Sequence, residues 1–278
     1  ADRSKSSHIS ELERQDIEPI DIVVSNLYPF EETIQRPEVT LQNALENIDI
    51  GGPSMLRAAA KNFPHVLVVI DPRDYFWIAE RVKQQMDFTL EERRRLAQTA
   101  FQHTALYDTI IASYLRGDED PFPEELTLGY RLRSPLRYGE NPHQKAALYT
   151  HVPPVQGLPW ATQLHGKELS FNNLLDADAA WKVVSDFSES TVAIIKHNNP
   201  CGLATHSDQA EAYSKALQGD PTSAYGGIVG FNREVTPEVA KAISATFYEV
   251  LIAPAYSSGA LEFLLKKRNL RLLQMATP

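Results

Sequence analysis

The feature that most constrains this chain is the run Val66-Leu67-Val68-Val69-Ile70, apolar at every position. A strand with one face in water alternates apolar and polar residues, so a run apolar at both parities has to be covered on both faces. Similar short runs rich in Val, Ile and Leu stand at 20–24, 191–195, 227–231, 250–253 and 270–275. Helical patterns separate them: 41–46, 53–61 with Pro53 at a first helical position, 72–85, a long segment after Thr89 and Glu92, 177–184, 209–217 and 237–247. This alternation predicts an α/β protein with a largely parallel sheet. The long helix, with Gly117 near its stop, is expected to bury Leu90, Leu96, Ala97, Ala100, Phe101, Thr104, Ala105, Ile111 and Leu115. Its arginine triplet Arg93 to Arg95, flanked by acids, reads as a solvated face.

Apolar runs of about five residues are far short of the roughly 20 that a spanning helix needs. A hydrophobic fraction of 43% with no low-complexity tract argues against disorder. The net charge of −9 argues against a general nucleic-acid surface, while leaving room for a local phosphate site of Lys, Arg and backbone N–H groups. One cysteine, Cys201, can neither close an internal disulfide nor build a multi-cysteine zinc site, which points to a reducing compartment. The first twenty residues hold no signal-peptide core. The chain opens at Ala1 rather than Met and closes just after a strand-like run, and the expectation is a piece cut at both ends. Acid and proline without a helical stripe, Asp118-Glu119-Asp120-Pro121-Phe122-Pro123-Glu124-Glu125, mark a domain boundary inside 117–135.

The most informative segment is Ile194-Ile195-Lys196-His197-Asn198-Asn199-Pro200-Cys201-Gly202, a buried strand that stops in polar groups. In open parallel sheets catalytic groups gather at strand carboxyl ends. An imidazole can take a proton from a weak nucleophile while a neighbouring ammonium stabilises a developing oxyanion, so Lys196 and His197 suit acyl or formyl transfer. A histidine capping a strand end beside an exposed lysine is the bland reading. Two rivals are weaker. A zinc nucleoside deaminase needs Pro-Cys-x-x-Cys, and the second cysteine position is Ala204. A Cys201 nucleophile needs an exposed, oriented thiol, whereas its proline and glycine neighbours suggest a turn residue.

A second polar cluster is Arg137-Tyr138-Gly139-Glu140-Asn141-Pro142-His143-Gln144, where Arg137 could grip a phosphate and Gly139 would admit backbone close to a ligand. Phe171-Asn172-Asn173-Leu174 and Ser223-Ala224-Tyr225-Gly226-Gly227 read as polar or glycine-rich turns. In the first half, Asn26, Tyr28, Asp49 and Lys61 lie at strand ends or on the helix after Gly51-Gly52, whose start offers free N–H groups to an anion. An ordinary polar turn explains the Arg137 cluster equally well, and for the first-half residues ordinary cap and loop roles are the stronger reading on sequence alone.

Taken in order, Asn26-Leu27-Tyr28-Pro29-Phe30, Asn47-Ile48-Asp49-Ile50-Gly51-Gly52-Pro53, Arg57-Ala58-Ala59-Ala60-Lys61-Asn62, the Arg137 cluster and the Lys196 to Gly202 segment resemble the bifunctional AICAR transformylase/IMP cyclohydrolase family of purine biosynthesis. The resemblance runs over essentially the whole chain. It implies the C-terminal part of a methylglyoxal-synthase-like α/β domain, the cyclohydrolase, over 1–129. The first part of a cytidine-deaminase-like domain, the transformylase, would follow over 130–278. It implies Lys196 and His197 as the transformylase pair, with Arg137, Tyr138, Asn173, Gly226 and Glu249 near the nucleotide. Tyr28, Asp49 and Lys61 would serve ring closure, with Asn26, Gly51 and Gly52 in that nucleotide pocket. The implied substrates are AICAR nucleotide, formyl-AICAR nucleotide and IMP, with 10-formyltetrahydrofolate as co-substrate and no metal required. The implied protein is a cytoplasmic homodimer without nucleic-acid or membrane partners. Because the family carries further segments at both ends, both sites would be half-sites here. A nucleotide-binding or dimerisation module without turnover is the alternative.

The composition of 117–135 generates a first test. Limited proteolysis of the folded protein is expected to cut within this stretch first; early cleavage inside either flanking half, with this stretch protected, would remove the boundary.

Overall fold

The computed structural model describes residues 1–117, 121–154 and 156–275, so Asp118-Glu119-Asp120 of the expected boundary lies outside the described residues. The chain divides into two compact units, 1–129 and 130–278.

The first unit runs α1 (Ser6–Arg14), β1 (Ile22–Val24), α2 (Phe30–Ile34), α3 (Leu41–Glu46), α4 (Gly51–Lys61), β2 (Leu67–Val69), α5 (Pro72–Lys83) and α6 (Leu90–Arg116). β1 and β2 pair in parallel, Val23 opposite Val68. Its core joins β2 and its flanks, Val66 to Ile70, to Leu56, Ala59 and Ala60 of α4, Ile78 of α5, and Leu96, Ala97 and Ala100 of α6. The capping box of α6 is formed in both directions: the Thr89 N–H donates to Glu92 Oε2 (2.8 Å), and the Glu92 N–H donates to Thr89 Oγ1 (3.2 Å). The buried stripe of α6 is Leu96, Ala97, Ala100, Thr104, Tyr107 and Ile110, steps of three and four. Leu90, Phe101, Ala105 and Leu115, expected inside, are exposed, and Ile111 is half-buried. Hydrophobicity alone favoured them, whereas the helical period carries the buried face to Tyr107 and Ile110.

The second unit opens with a hairpin, β3 (Tyr130–Leu136) and β4 (Ala146–His151). A single 3-10 turn (Leu158–Trp160) leads to β5 (Thr162–His165), α7 (Phe171–Ser185), β6 (Thr191–Ile195), β7 (Pro200–Thr205), α8 (Gln209–Gly219) and α9 (Pro221–Ala224). There follow β8 (Ile228–Phe231), α10 (Pro237–Ile243), β9 (Val250–Ala253), α11 (Ser258–Leu264) and β10 (Arg271–Gln274). One six-stranded sheet has the order β5-β10-β9-β8-β6-β7. β8, β9 and β10 are mutually parallel, but β6 is antiparallel to both β8 and β7, and β5 is antiparallel to β10. The expectation of a largely parallel sheet therefore fails in this unit. Strand β6 is buried at all five positions because helices cover both faces, and that coverage, rather than strand direction, is what its all-apolar sequence reports. Val192 and Ile194 join the core under α8, α10 and α11, while Ala193 and Ile195 join the one under α7.

Two segments read as turns are regular structure. Phe171-Asn172-Asn173-Leu174 is the first turn of α7, started by the Ser170 capping box. Pro200-Cys201-Gly202 opens edge strand β7, where proline is tolerated at a first position. Strands β3 and β4 were not expected at all.

A Cβ built on Gly202 would stand 1.8 Å from the carbonyl oxygen of Ala216, so β7 and α8 touch backbone to backbone. Gly202→Ala is expected to cost about 3 kcal/mol by overpacking and to lower the unit's Tm by roughly 6–12 °C. Gly51→Ala, with nothing within 4 Å of the added atom, is the control and should shift stability by less than about 1 kcal/mol. A Gly202→Ala protein that melts with the control would show that the two elements separate freely.

Candidate functional site

In the second unit, Ile195 stands opposite Ile228, Ile228 opposite Val250, and Val250 opposite Arg271. One residue beyond that row, at the rim, stand Lys196, Gly227 and Glu249, with Arg271 in the row just inside them. The ladder continues through the Glu249 N–H to the Gly227 carbonyl (3.0 Å) and the Arg271 N–H to the Glu249 carbonyl (3.0 Å). β6 and the edge strand β5 bring their carboxyl ends here, whereas β7, β8, β9 and β10 bring their amino ends. The expected gathering at carboxyl ends of parallel strands is thus replaced by a mixed rim, a consequence of the reversed direction of β6.

Lys196 is half-buried, and its ammonium donates to the carbonyl of Tyr225. Gly226 follows at φ +76, with its N–H bonded to the Phe247 carbonyl (2.8 Å). A side chain there would be strained and would stand 3.5 Å from Lys196 Nζ. His197 is exposed, on the tight turn between β6 and β7 closed by the Lys196 N–H to the Asn199 carbonyl (2.9 Å). Asn198 takes φ +58, and its N–H donates to Asp176 Oδ1 of α7 (2.7 Å). Asp176, missed in the sequence, thus fixes the turn that carries the histidine; its place on the stripe of Asn173, Ala177, Ala180 and Val184 was the available signal.

Cys201 is half-buried, and desolvation, reinforced by Asp220 and opposed by Lys196, pushes its thiol above the ordinary range. That is the reverse of what a nucleophile needs. Among the described residues no group of three or more His, Cys, Asp or Glu side chains is arranged to hold a metal ion.

Arg137 and Tyr138 begin the loop of the β3–β4 hairpin. The Arg137 N–H donates to the Leu169 carbonyl (3.0 Å), and the Tyr138 carbonyl accepts from the Phe171 N–H (3.1 Å), which ties the loop to the start of α7. The Arg137 guanidinium lies 5.2 Å from the centre of the Tyr138 ring. Asn173 is buried in that first turn: its Oδ1 accepts from the Ser170 N–H (3.1 Å), and its Nδ2 donates to Glu249 Oε2 (2.9 Å). Asn173 and Glu249 thus meet directly, as do Lys196 and the Tyr225–Gly226 turn. Sequence reading also missed Arg271, only 4% exposed inside an apolar strand. Its guanidinium donates through Nε to the Glu168 carbonyl (3.0 Å) and through Nη1 to Glu249 Oε2 (3.4 Å).

In the first unit, Asn26 follows β1, with its Nδ2 donating to the Ile70 carbonyl (2.9 Å) and its Oδ1 accepting from the Tyr75 hydroxyl (2.6 Å). Asp49 Oδ1 accepts the Gly52 N–H (2.7 Å), so the helix start expected to present free donors already spends one on its own carboxylate. A Cβ on Gly52 would strike both Asp49 and Leu27, which places the Asn26 to Tyr28 segment against this helix start. Tyr28 is exposed. The Tyr107 hydroxyl accepts the Asp49 N–H (2.8 Å) and donates to the Asn47 carbonyl (3.1 Å), and burial pushes it above the ordinary phenol range, keeping it a donor. Lys61 is in the last turn of the same helix, about 14 Å along the axis from Gly52 at 1.5 Å per residue. The structure therefore groups Asn26, Asp49, Gly51 and Gly52, and leaves Lys61 at the opposite end.

Residues 59–278 match the family model described as "AICARFT/IMPCHase bienzyme". Among curated relatives, the protein named "Bifunctional purine biosynthesis protein PurH" from Listeria welshimeri is 50% identical over 275 residues, covering 98% of this chain and 54% of that protein. Proteins of the same name from Halalkalibacterium halodurans (50% over 277 residues) and Acetivibrio thermocellus (48% over 276 residues) cover the same shares. A solved structure titled "Crystal structure of ForH" is 35% identical, with a TM-score of 0.36 over 40% of this chain and 58% of that one. The chain spans about half the length of the curated relatives it matches. With the family model matched over more than half of the chain, the chain belongs to the AICARFT/IMPCHase bienzyme family.

Proposed function

We propose that this chain forms part of an enzyme that transfers a formyl group to AICAR nucleotide and closes the product to IMP. The observation that carries the reading is the rim of the second unit, where the Lys196 ammonium, held by the Tyr225 carbonyl, adjoins the exposed imidazole of His197 in sequence. Residues 130–278 are the transformylase part and 1–129 the cyclohydrolase part. Their folds are read as cytidine-deaminase-like and methylglyoxal-synthase-like, respectively. The names of the relatives support purine biosynthesis.

In formyl transfer, the 5-amino nitrogen of AICAR nucleotide attacks the formyl carbon of 10-formyltetrahydrofolate. His197 takes the proton that this nitrogen sheds, Lys196 stabilises the tetrahedral oxyanion, and tetrahydrofolate leaves with a proton on its nitrogen. Arg137 is suited to the phosphate, with Tyr138, Asn173, Gly226 and Glu249 around the nucleotide. In ring closure, the carboxamide nitrogen attacks the formamide carbon, and water departs. Asp49 and Tyr28 are assigned to proton transfer there, with Asn26, Gly51 and Gly52 lining the pocket. Lys61, in the last turn of the same helix, is the third residue assigned to ring closure. Neither reaction is assigned a metal. A cytoplasmic homodimer is the proposed form, and no helix among the described residues is long and apolar enough to cross a membrane.

In the full-length protein, His197→Ala is expected to reduce formyl transfer by roughly 10²-fold or more, the scale of a lost general base, with cyclisation of preformed formyl nucleotide within about twofold of the parent. Equal loss in both assays would indicate misfolding. Unchanged formyl transfer would remove His197 from the chemistry. Nucleotide binding without turnover by the parent would favour a binding module.

A further inference from the structure

Arg271 carries a positive charge into the second unit's core, on a strand whose neighbours Leu270, Leu272 and Leu273 are buried and apolar. A leucine or valine would fill the sheet without the cost of burying a charge, so what the guanidinium holds at the rim is the point of interest. Its side chain is 5% exposed, while that of its partner Glu249 is 39% exposed, so the pair runs from the interior to an open edge. Burial lowers the guanidinium's affinity for its proton and Arg137 adds repulsion, while Glu249 opposes both.

The geometry of Glu249 is the informative part. Arg271 Nη1 and Asn173 Nδ2 both converge on Oε2, at 3.4 and 2.9 Å, and among the described residues Oε1 has no hydrogen-bond partner. Arg271 is itself tied through Nε to the Glu168 carbonyl, and Asn173 is tied to Ser170 by the capping box of α7. One carboxylate oxygen is thus clamped from two independent elements, and the other is left as an acceptor at the rim that holds Lys196. A carboxylate held in this way selects ligands that present an N–H or O–H donor.

We propose that Arg271 is a positioning residue that holds Glu249 in one orientation, so that its free oxygen accepts a hydroxyl or amino donor of the bound nucleotide. This rests on the reading of the rim as a nucleotide site. Because such a bond forms in the ground state and the transition state alike, its loss acts on KM rather than on kcat.

The test uses the full-length protein, with AICAR nucleotide as the varied substrate in formyl transfer. Arg271→Met is expected to raise KM for the nucleotide about tenfold or more with kcat changed less than about threefold. Glu249→Gln should do the same, and the double variant should be no worse than Glu249→Gln alone, since Arg271 acts through that carboxylate. If Arg271→Met fails to fold by circular dichroism, Arg271→Lys, which keeps the charge but cannot span Glu168 and Glu249 together, takes its place in the same cycle. A variant KM within twofold of the parent, a loss confined to kcat, or losses that multiply in the double variant would overturn the positioning role while leaving the site intact. A parent that neither binds nor turns over AICAR nucleotide would overturn the nucleotide reading, and this inference with it.

Discussion

The antiparallel pairing of β6 with β8 is the constraint from which the second unit's chemistry follows. With Ile195 opposite Ile228, the strand that ends in Lys196 arrives where three parallel strands begin. Had β6 run with them, Lys196 would lie a full strand length away from Gly227, Glu249 and Arg271. The reversal also lets β6 and β7 form a hairpin, and the exposed tip of that hairpin carries His197. One register thus sets both the anchored lysine and the exposed histidine against the same polar rim.

The sheet can hold that rim because its interior is apolar on both faces. The parity of β6 divides its side chains between two cores, and the strand needs no polar partner along its length. Polar groups concentrate at the ends, where backbone N–H and carbonyl groups and capping side chains satisfy one another. The Arg271, Glu249 and Asn173 cluster reaches inward, as do the buried hydroxyls of Tyr213, Tyr248 and Tyr256. An unpaired buried guanidinium would cost several kcal/mol, so the Glu168 carbonyl and the Glu249 carboxylate are requirements for burying it.

Much of the element order was legible, since short apolar runs and capping signals are local. The bounds of α3, β6 and β9 fall where the sequence put them, and the Thr89 capping box forms as read. The β3–β4 hairpin was not legible: β3 is mostly exposed and contains Pro135, and its short alternation Tyr130-Arg131-Leu132-Arg133 leaves even the apolar residues open to solvent. Strand direction was also hidden, because coverage by helices makes the same residues apolar whichever way a strand runs. Among site residues, Lys196 and His197 stood out through their place after an apolar strand. Asp176 and Tyr107 act from helix faces where their neighbours are apolar, so only the helical period could have marked them. Arg271 was hidden by its setting, since a cation in an apolar run gains meaning only when Glu249, 22 positions away, is brought beside it.

Strand β6, bonded on both sides and closed to solvent at every position, is expected to hold amides among the best protected from deuterium exchange in the unit. The turn beyond it is held by the Lys196–Asn199 closure and by Asp176, and it presents His197 on the exposed tip of the hairpin. Lys196 and His197 are adjacent in sequence, yet they straddle the boundary between the closed sheet and its exposed edge. The cation is therefore anchored by the backbone of a neighbouring turn, while the imidazole beside it stands open to solvent.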